Sequence, residues 1–359
     1  MSEDFKSANK GEWSEVYVFF RLLGDCAIFP CDEKLKRTSE AFPILQILRG
    51  NGGKSILTCK YDREAQVWRI ANAESEEVIV YPAEGATEAM ELLNFIEAKT
   101  MQHPKAYKFL QRIGAHSIKA DSANKKDITL QICDARAGTD PLCGFSIKSY
   151  LGQPPTLLNS NRDGTNFLYE ISNISPNQVE SLNEIKATKD LINKLKEIGA
   201  SLTFIESCSP VFKANLRYID SSMEALLGEL IRLYYVEDLT TIHEATEVLA
   251  KQDPLNFKDA GPYQEYVKRL LVAVSLGMTP GTTWNGTTDD TSGFLIVKPG
   301  GDVVSYHIYN RDAFKQYLYT FTKFDKPARK RHKYGKLFEQ NGKVYIKLNF
   351  QIRFIKIGK

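Results

Sequence analysis

Asp127 and Lys148 are the residues whose types and spacing most directly suggest chemistry. Asp127 opens the segment DITLQIC (127–133), Lys148 lies in GFSIKSY (144–150), and the turn-rich ARAGTDPLC separates them. Both segments alternate apolar and polar residues, so they read as two strands of a β-hairpin. Successive side chains of a strand point to opposite faces. Ile128, Leu130 and Ile132 then share an apolar face with Phe145 and Ile147, and Asp127, Thr129 and Gln131 share the polar face with Ser146 and Lys148. A carboxylate beside a lysine suits hydrolysis of a phosphodiester. The carboxylate binds a hard divalent cation such as Mg²⁺ through oxygen. The cation polarises the phosphate and helps make hydroxide from water. The lysine stabilises developing negative charge or orients the water, and the carbonyl of Ile147 can complete the metal shell. Asp134 has the parity of the apolar set and sits at the turn, so it ranks below Asp127. An acid, a gap and a lysine form a weak pattern, and a surface pair on an ordinary hairpin fits the spacing as well.

The flanking elements must position that pair. Residues 11–24 (GEWSEVYVFFRLLG) have helical spacing and are expected to stop at Gly24. Glu12 and Glu15, three apart, share one face of this helix. Glu12 falls in the first turn, where compensation of the helix dipole is an alternative role. Trp13 and Tyr17 read as core. Residues 54–82 suggest an antiparallel meander, and 86–113 two helices broken at Pro104. Residues 182–198 read as a helix with Leu191, Leu195 and Ile198 on one face and Gly199 as its stop, followed by a strand at 201–207. A mostly helical region follows over about 220–277. Short strands dominate from 293, with one helix near 311–321. The expectation is a mixed α/β (α+β) fold, divided near residue 210 into a core, 1–210, and a helical plus β-rich region, 211–359.

The bulk numbers set limits. The chain has 359 residues, 43% hydrophobic, enough for one large core or two modest ones. A net charge of +3 excludes a uniformly basic coating protein, so any nucleic-acid surface is local. No apolar run is long enough to span a membrane, and the polar start MSEDFKSANKGEW resembles neither a signal nor a transit peptide. The six cysteines contain no CxxC pair and read as free thiols in a reducing cytoplasm, with a Cys133–Cys143 bridge across the turn as the alternative. No cysteine–histidine cluster suits zinc, and no P-loop or methyltransferase motif is present. Charge is concentrated at the end: residues 323–359 hold twelve Lys and Arg against Asp325 and Glu339, a local +10, interleaved with Tyr334, Phe338, Tyr345, Phe350 and Phe354. Arg329, Lys330, Arg331, Lys333 and Arg353 are candidates for binding DNA, the arginines through phosphate or the O6/N7 edge of guanine. His332 is a candidate DNA contact or a structural residue rather than a catalyst. A solvated basic surface is the competing reading.

The hairpin, with Lys126-Asp127 and then Ser146-Ile147-Lys148, resembles the core of the PD-(D/E)XK nucleases. More specifically, NKGEWSEVYVFFRLL (9–23), KKDITLQICD (125–134), GFSIKSYLGQPPTLLNSN (144–161), TNFLYEI (165–171), GFLIVKPGGDVVSYHIYNRDAF (293–314) and the stretch from RHKYGK to KLNFQIRF (331–354) resemble the HpaII-type restriction endonucleases. That resemblance implies a mixed sheet flanked by helices, with 1–210 as the nuclease core. It implies Mg²⁺-dependent cleavage of double-stranded DNA at CCGG with 5′ overhangs, a cognate DNA methyltransferase as functional partner, and leaves a homodimer open. It makes Glu15 the first-helix glutamate that reaches the metal. Two positions depart from the usual nuclease pattern. Lys126 stands where proline is common, at little consequence. Ser146 stands where an acid is normal, and Glu170, with Asp163 behind it, is the candidate to supply the missing carboxylate. A repair or junction-resolving nuclease of the same superfamily, and a DNA-binding protein with a decayed active site, remain the competing functions.

Overall fold

The computed structural model describes residues 8–51, 55–73, 75–98, 104–118, 126–287, 293–306 and 311–358. In chain order the elements begin with helix α1 (Lys10–Asp25), strands β1 (Ala27–Ile28), β2 (Phe42–Gly50), β3 (Ile56–Asp62), β4 (Val67–Asn72) and β5 (Ser75–Val80), and helices α2 (Pro82–Glu97) and α3 (Pro104–Arg112). Strands β6 (Ile128–Ile132), β7 (Leu142–Ser149), β8 (Thr156–Leu158) and β9 (Asn166–Ser172) follow, then helices α4 (Val179–Asn183) and α5 (Thr188–Glu197) and strand β10 (Ser201–Ser207). Helices α6 (Pro210–Ile219), α7 (Met223–Val236), α8 (Ile242–Gln252) and α9 (Gly261–Ser275) form the helical stretch. The chain closes with β11 (Gly293–Val297), β12 (Val303–Tyr306), α10 (Arg311–Thr320), β13 (Thr322–Asp325), α11 (Arg329–His332), β14 (Leu337–Gln340), β15 (Lys343–Asn349) and β16 (Gln351–Phe354). No described helix is long and apolar enough to cross a membrane.

Two compact units result. One gathers Met1–Pro155, Asp289–Phe314 and Lys356–Lys359, the other Thr156–Thr288 and Lys315–Ile355. This division does not follow the single cut near residue 210 that composition suggests. The reason is strand pairing: β11 lies parallel to β7, with Phe294 opposite Ser146 and Ile296 opposite Lys148. A late segment thereby joins the sheet of the first unit, and parallel pairing of this kind leaves no local signal in the sequence.

The first unit carries a mixed sheet in the order β12-β11-β7-β6-β2-β3-β4-β5, with β1 on β2. Helix α1 packs into its core. Val16, Tyr17, Val18, Phe19, Phe20, Leu22 and Leu23 are all buried, the pattern of a helix enclosed on most sides. Asn9 caps it: its Oδ1 accepts from the N–H of Gly11 and Glu12, and the Glu12 carboxylate accepts from the N–H of Asn9 at 2.7 Å. Gly24 is not the stop expected. The helix runs on to Asp25 and ends on Cys26 in a left-handed conformation. A Cβ at Gly24 would fall 2.8 Å from the backbone nitrogen of Ala86, and one at Gly85 the same distance from the Leu23 Cβ. The two glycines let α1 and α2 touch at the backbone. The meander, the break at Pro104 and the hairpin all appear where their patterns place them.

The second unit holds a sheet ordered β10-β9-β15-β14 and a smaller one ordered β13-β16-β8. The helix expected over 182–198 is two: α4 ends at Asn183 and α5 starts at Thr188. Gly199 does end it, at a φ of +73°. All six cysteines are free, so the Cys133–Cys143 bridge is not formed.

Candidate active site

Residues β6 and β7 pair antiparallel with Ile128 opposite Phe145 and Leu130 opposite Cys143. One step beyond the ladder, the N–H of Asp127 donates to the Phe145 carbonyl at 2.9 Å, and the Asp127 carboxylate accepts the Ile147 N–H at 2.6 Å. The hairpin thus grips both ends of Asp127 and aims one carboxylate oxygen along β7. Because β11 covers its other edge, β7 is an inner strand, and Lys148 is largely enclosed. Its ammonium lies 5.3 Å from the centre of the Phe294 ring.

Helix α1 delivers the third group. Glu12 is occupied in the cap, and Glu15, one turn later, is the glutamate near the hairpin. Burial, and then the charge of Asp127, push the Glu15 carboxyl up to about 7, against the pull of Arg49 and Lys148. Burial also raises the Asp127 carboxyl, opposed by the Ile147 N–H and by Lys148. The Lys148 ammonium is pushed down by burial and held up by Asp127 and Glu15. Glu15, Asp127 and Lys148 therefore form one electrostatic cluster, assembled from a helix and a hairpin more than a hundred residues apart.

Arg49 belongs to the same environment and was not singled out from sequence. It is buried on β2, donates to the carbonyls of Ser117 and Ile118, and is lowered to about 10 by burial while Glu15 supports its charge. A signal was present: Arg49 has the same strand parity as the buried Ile47, an inward position where an arginine needs a reason.

The cluster fits a divalent cation with few protein ligands. Two desolvated carboxylates that hold protons more tightly than usual lack positive charge, which such an ion would supply. Among the described residues no group of three or more His, Cys, Asp or Glu is gathered as a metal cage. Mg²⁺ is commonly held by one or two carboxylates and keeps several waters, so a pair suffices.

Of the other candidates, Ser146 shares β7 with Lys148, whereas Glu170 and Asp163 belong to the second unit. Ser146 is 7% exposed on β7 and carries no charge. Glu170 belongs to the second unit, on β9, where its carboxylate is paired with Lys343 at 3.0 Å. Asp163 is exposed in the same unit, with its N–H bonded to the Asn161 side chain.

In the basic C-terminal stretch the side chains divide into two sets. Arg329 donates to the carbonyls of Ile185, Lys186 and Gly335. Arg353 pairs with Asp325 at 2.9 Å. His332 is buried, with Nε2 3.2 Å from the Ser160 hydroxyl, and burial followed by the charge of Arg331 keeps its imidazole below the usual range. These three are engaged within the fold of the segment, the structural role that sequence had left open for His332 and not considered for Arg329. Lys330, Arg331 and Lys333 are exposed. Lys330 and Lys333 join Lys186, Lys336, Lys347 and Phe338 around a cavity of about 950 Å³.

Comparison with known proteins establishes the family. The profile of the HpaII restriction endonuclease family matches residues 9–354. The type II restriction enzyme HpaII of Haemophilus parainfluenzae is 36% identical over 366 aligned residues, which cover 98% of this chain and 99% of that enzyme. No solved structure gives a significant match. A match that runs through the hairpin, the first helix and the basic stretch alike is a match of whole proteins, and the chain belongs to the HpaII restriction endonuclease family.

Proposed function

We propose that this type II site-specific deoxyribonuclease hydrolyses DNA with Asp127, Glu15 and Lys148, in the presence of Mg²⁺, at the sequence CCGG. The observation that carries the site assignment is the gathering of two partly buried carboxylates and one partly buried lysine in a single cluster, with Asp127 fixed by the Ile147 N–H. Asp127 and Glu15, with the Ile147 carbonyl, would hold the ion. When bound, it would supply Lewis-acid polarisation of the phosphate and a lowered pKa for a bound water. Lys148 keeps its proton through its two acidic neighbours and places a cation where negative charge develops. The Ile147 N–H fixes the Asp127 carboxylate so that no reorientation is needed as charge moves. Glu15, rather than Glu170, supplies the second carboxylate in place of Ser146, because Glu15 is the acid whose charge is coupled to Asp127 and Lys148. CCGG reads the same on both strands. Two cuts then call for two active sites, which favours a homodimer, and a methyltransferase acting on the same sequence would protect the host DNA.

The test is digestion of unmethylated plasmid DNA with Mg²⁺, Ca²⁺ or excess EDTA, followed by mapping of the ends. Discrete fragments ending at CCGG are expected with Mg²⁺ and none with EDTA. Full cutting in EDTA refutes the cation requirement, discrete ends at another sequence refute the target, and preference for branched DNA refutes the restriction reading.

The exposed lysines around the basic cavity are the proposed phosphate contacts. Lys330→Ala and Lys333→Ala should each weaken binding to all duplexes alike and lower the slope of log affinity against log salt by about one unit. Unchanged slopes in filter binding at several salt concentrations would place the DNA backbone elsewhere.

A further inference from the structure

In the second unit, the loop between β8 and β9 is fastened by a network of polar groups, three of them buried. Asn161 Oδ1 accepts from the N–H of Asp163 and of Gly164, at 2.9 and 3.0 Å. The Thr165 hydroxyl accepts the Asn161 N–H at 2.8 Å and lies 3.0 Å from Asn349 Oδ1. Gly164 seats the loop directly on Pro280, since a Cβ there would fall 2.9 Å from that residue. The side-chain amide of Asn166 donates to two carbonyls, those of Arg162 at 2.6 Å and His332 at 3.3 Å. Its oxygen accepts from Asn349 at 2.8 Å, and the Asn349 carbonyl accepts from the Tyr235 hydroxyl. Thr165, Asn166 and Asn349 are all buried.

The consequence is that one asparagine amide ties together the main chain at Arg162, the loop tip, and at His332, the residue after Arg331. Both arginines are exposed, and no ion pair engages either among the described residues. Their neighbours Arg329 and Arg353 are committed to carbonyls and to Asp325. A satisfied buried polar network imposes a single backbone geometry, whereas surface loops ordinarily stay mobile. Phosphate neutralisation does not require that rigidity, because a lysine on a flexible stem serves it. A guanidinium fork aligned on the O6 and N7 of one guanine does require it.

We infer that Arg162 and Arg331 determine specificity, each presenting its fork to a guanine edge in the major groove of the target. This rests on the CCGG reading above. The experiment measures binding, with Ca²⁺ in place of Mg²⁺, of wild-type protein, Arg162→Lys and Arg331→Lys to three duplexes. One contains CCGG, one carries 7-deazaguanine at a single guanine of that site, and one is scrambled. Each lysine variant keeps the charge and loses the fork. Each should bind the CCGG duplex roughly 5- to 150-fold more weakly and the scrambled duplex nearly as before. The penalty of 7-deazaguanine at the guanine read by the altered arginine should vanish in that variant. If both variants keep the full penalty when the 7-deazaguanine duplex is made in turn at each guanine of the site, or lose affinity for CCGG and scrambled DNA alike, the arginines are not base readers and this inference falls while the CCGG reading stands. If the wild-type protein itself shows no preference for CCGG, both fall.

Discussion

Replacing Asp127 by asparagine is expected to lower the cleavage rate by at least about a thousandfold while leaving DNA binding and folding intact. Asparagine is the informative substitution because its side-chain oxygen can still accept the Ile147 N–H, now held at 2.6 Å by the carboxylate. Alanine would leave that donor enclosed without a partner, at about 1–3 kcal/mol, and would mix a stability effect with a catalytic one. Lys148→Met should lower the rate by a similar factor through a different route. It removes the one cation of the cluster that faces both carboxylates from β7, so both would hold protons still more tightly. Single-turnover cleavage of a CCGG duplex, with circular dichroism and binding in Ca²⁺ as controls, separates these effects. A variant of either residue that cuts at near wild-type rate would remove that residue from the site.

The second large effect sets stability against function. Glu15→Gln should abolish cleavage and make the cation-free protein more stable at pH 8. The Glu15 carboxyl ionises near 4.5 in an unfolded chain and at about 7 in the folded protein, chiefly because it is buried. Between those values the folded state keeps a proton that the unfolded state has released, so this group's contribution to stability falls as pH rises through that window. Above it, the ionised, buried Glu15 is a standing penalty of up to about 3 kcal/mol. Glutamine mimics the protonated acid and removes the penalty, so its advantage should be present at pH 8 and absent at pH 4.5. Urea unfolding in EDTA at the two pH values measures this. Equal stability of variant and wild type at pH 8 would show that Glu15 is not strained. The same linkage carries over to the cation. An ion that must displace one proton loses about tenfold in affinity per pH unit below 7, and Mg²⁺ should raise the unfolding midpoint of the wild type but not of Glu15→Gln.

The strength of the first helix, the meander and the hairpin comes from short-range pattern, and these were legible in the residues themselves. Alternation in DITLQIC and GFSIKSY placed Asp127 and Lys148 on one face because a strand has a period of two whatever surrounds it. Capping chemistry is equally local: Asn9 and Glu12 sit three apart, and that engagement in the cap is why Glu15 and not Glu12 reaches the site. Gly24 shows where the same reasoning fails. A glycine at the end of a helical pattern reads as a stop, and only the contact with Ala86 on another helix shows it to be a point of close approach.

What tertiary structure alone decided depends on desolvation and on partners distant in sequence. The parallel pairing of β11 with β7 helps enclose Lys148, and that burial, not residue type, depresses its proton affinity, while the burial of Glu15 and Asp127 themselves raises theirs against the pull of Lys148. The fate of the basic segment was decided in the same way. Composition shows twelve cations with equal claims on DNA, but carbonyls of Ile185 and Lys186 capture Arg329, Asp325 captures Arg353, and a buried asparagine network fixes the backbone beneath Arg162 and Arg331. Charge is a property of the residue and is readable at once. Whether that charge is solvated, paired or held ready for a ligand depends on which distant groups the fold brings within hydrogen-bonding distance, and no local pattern carries that information.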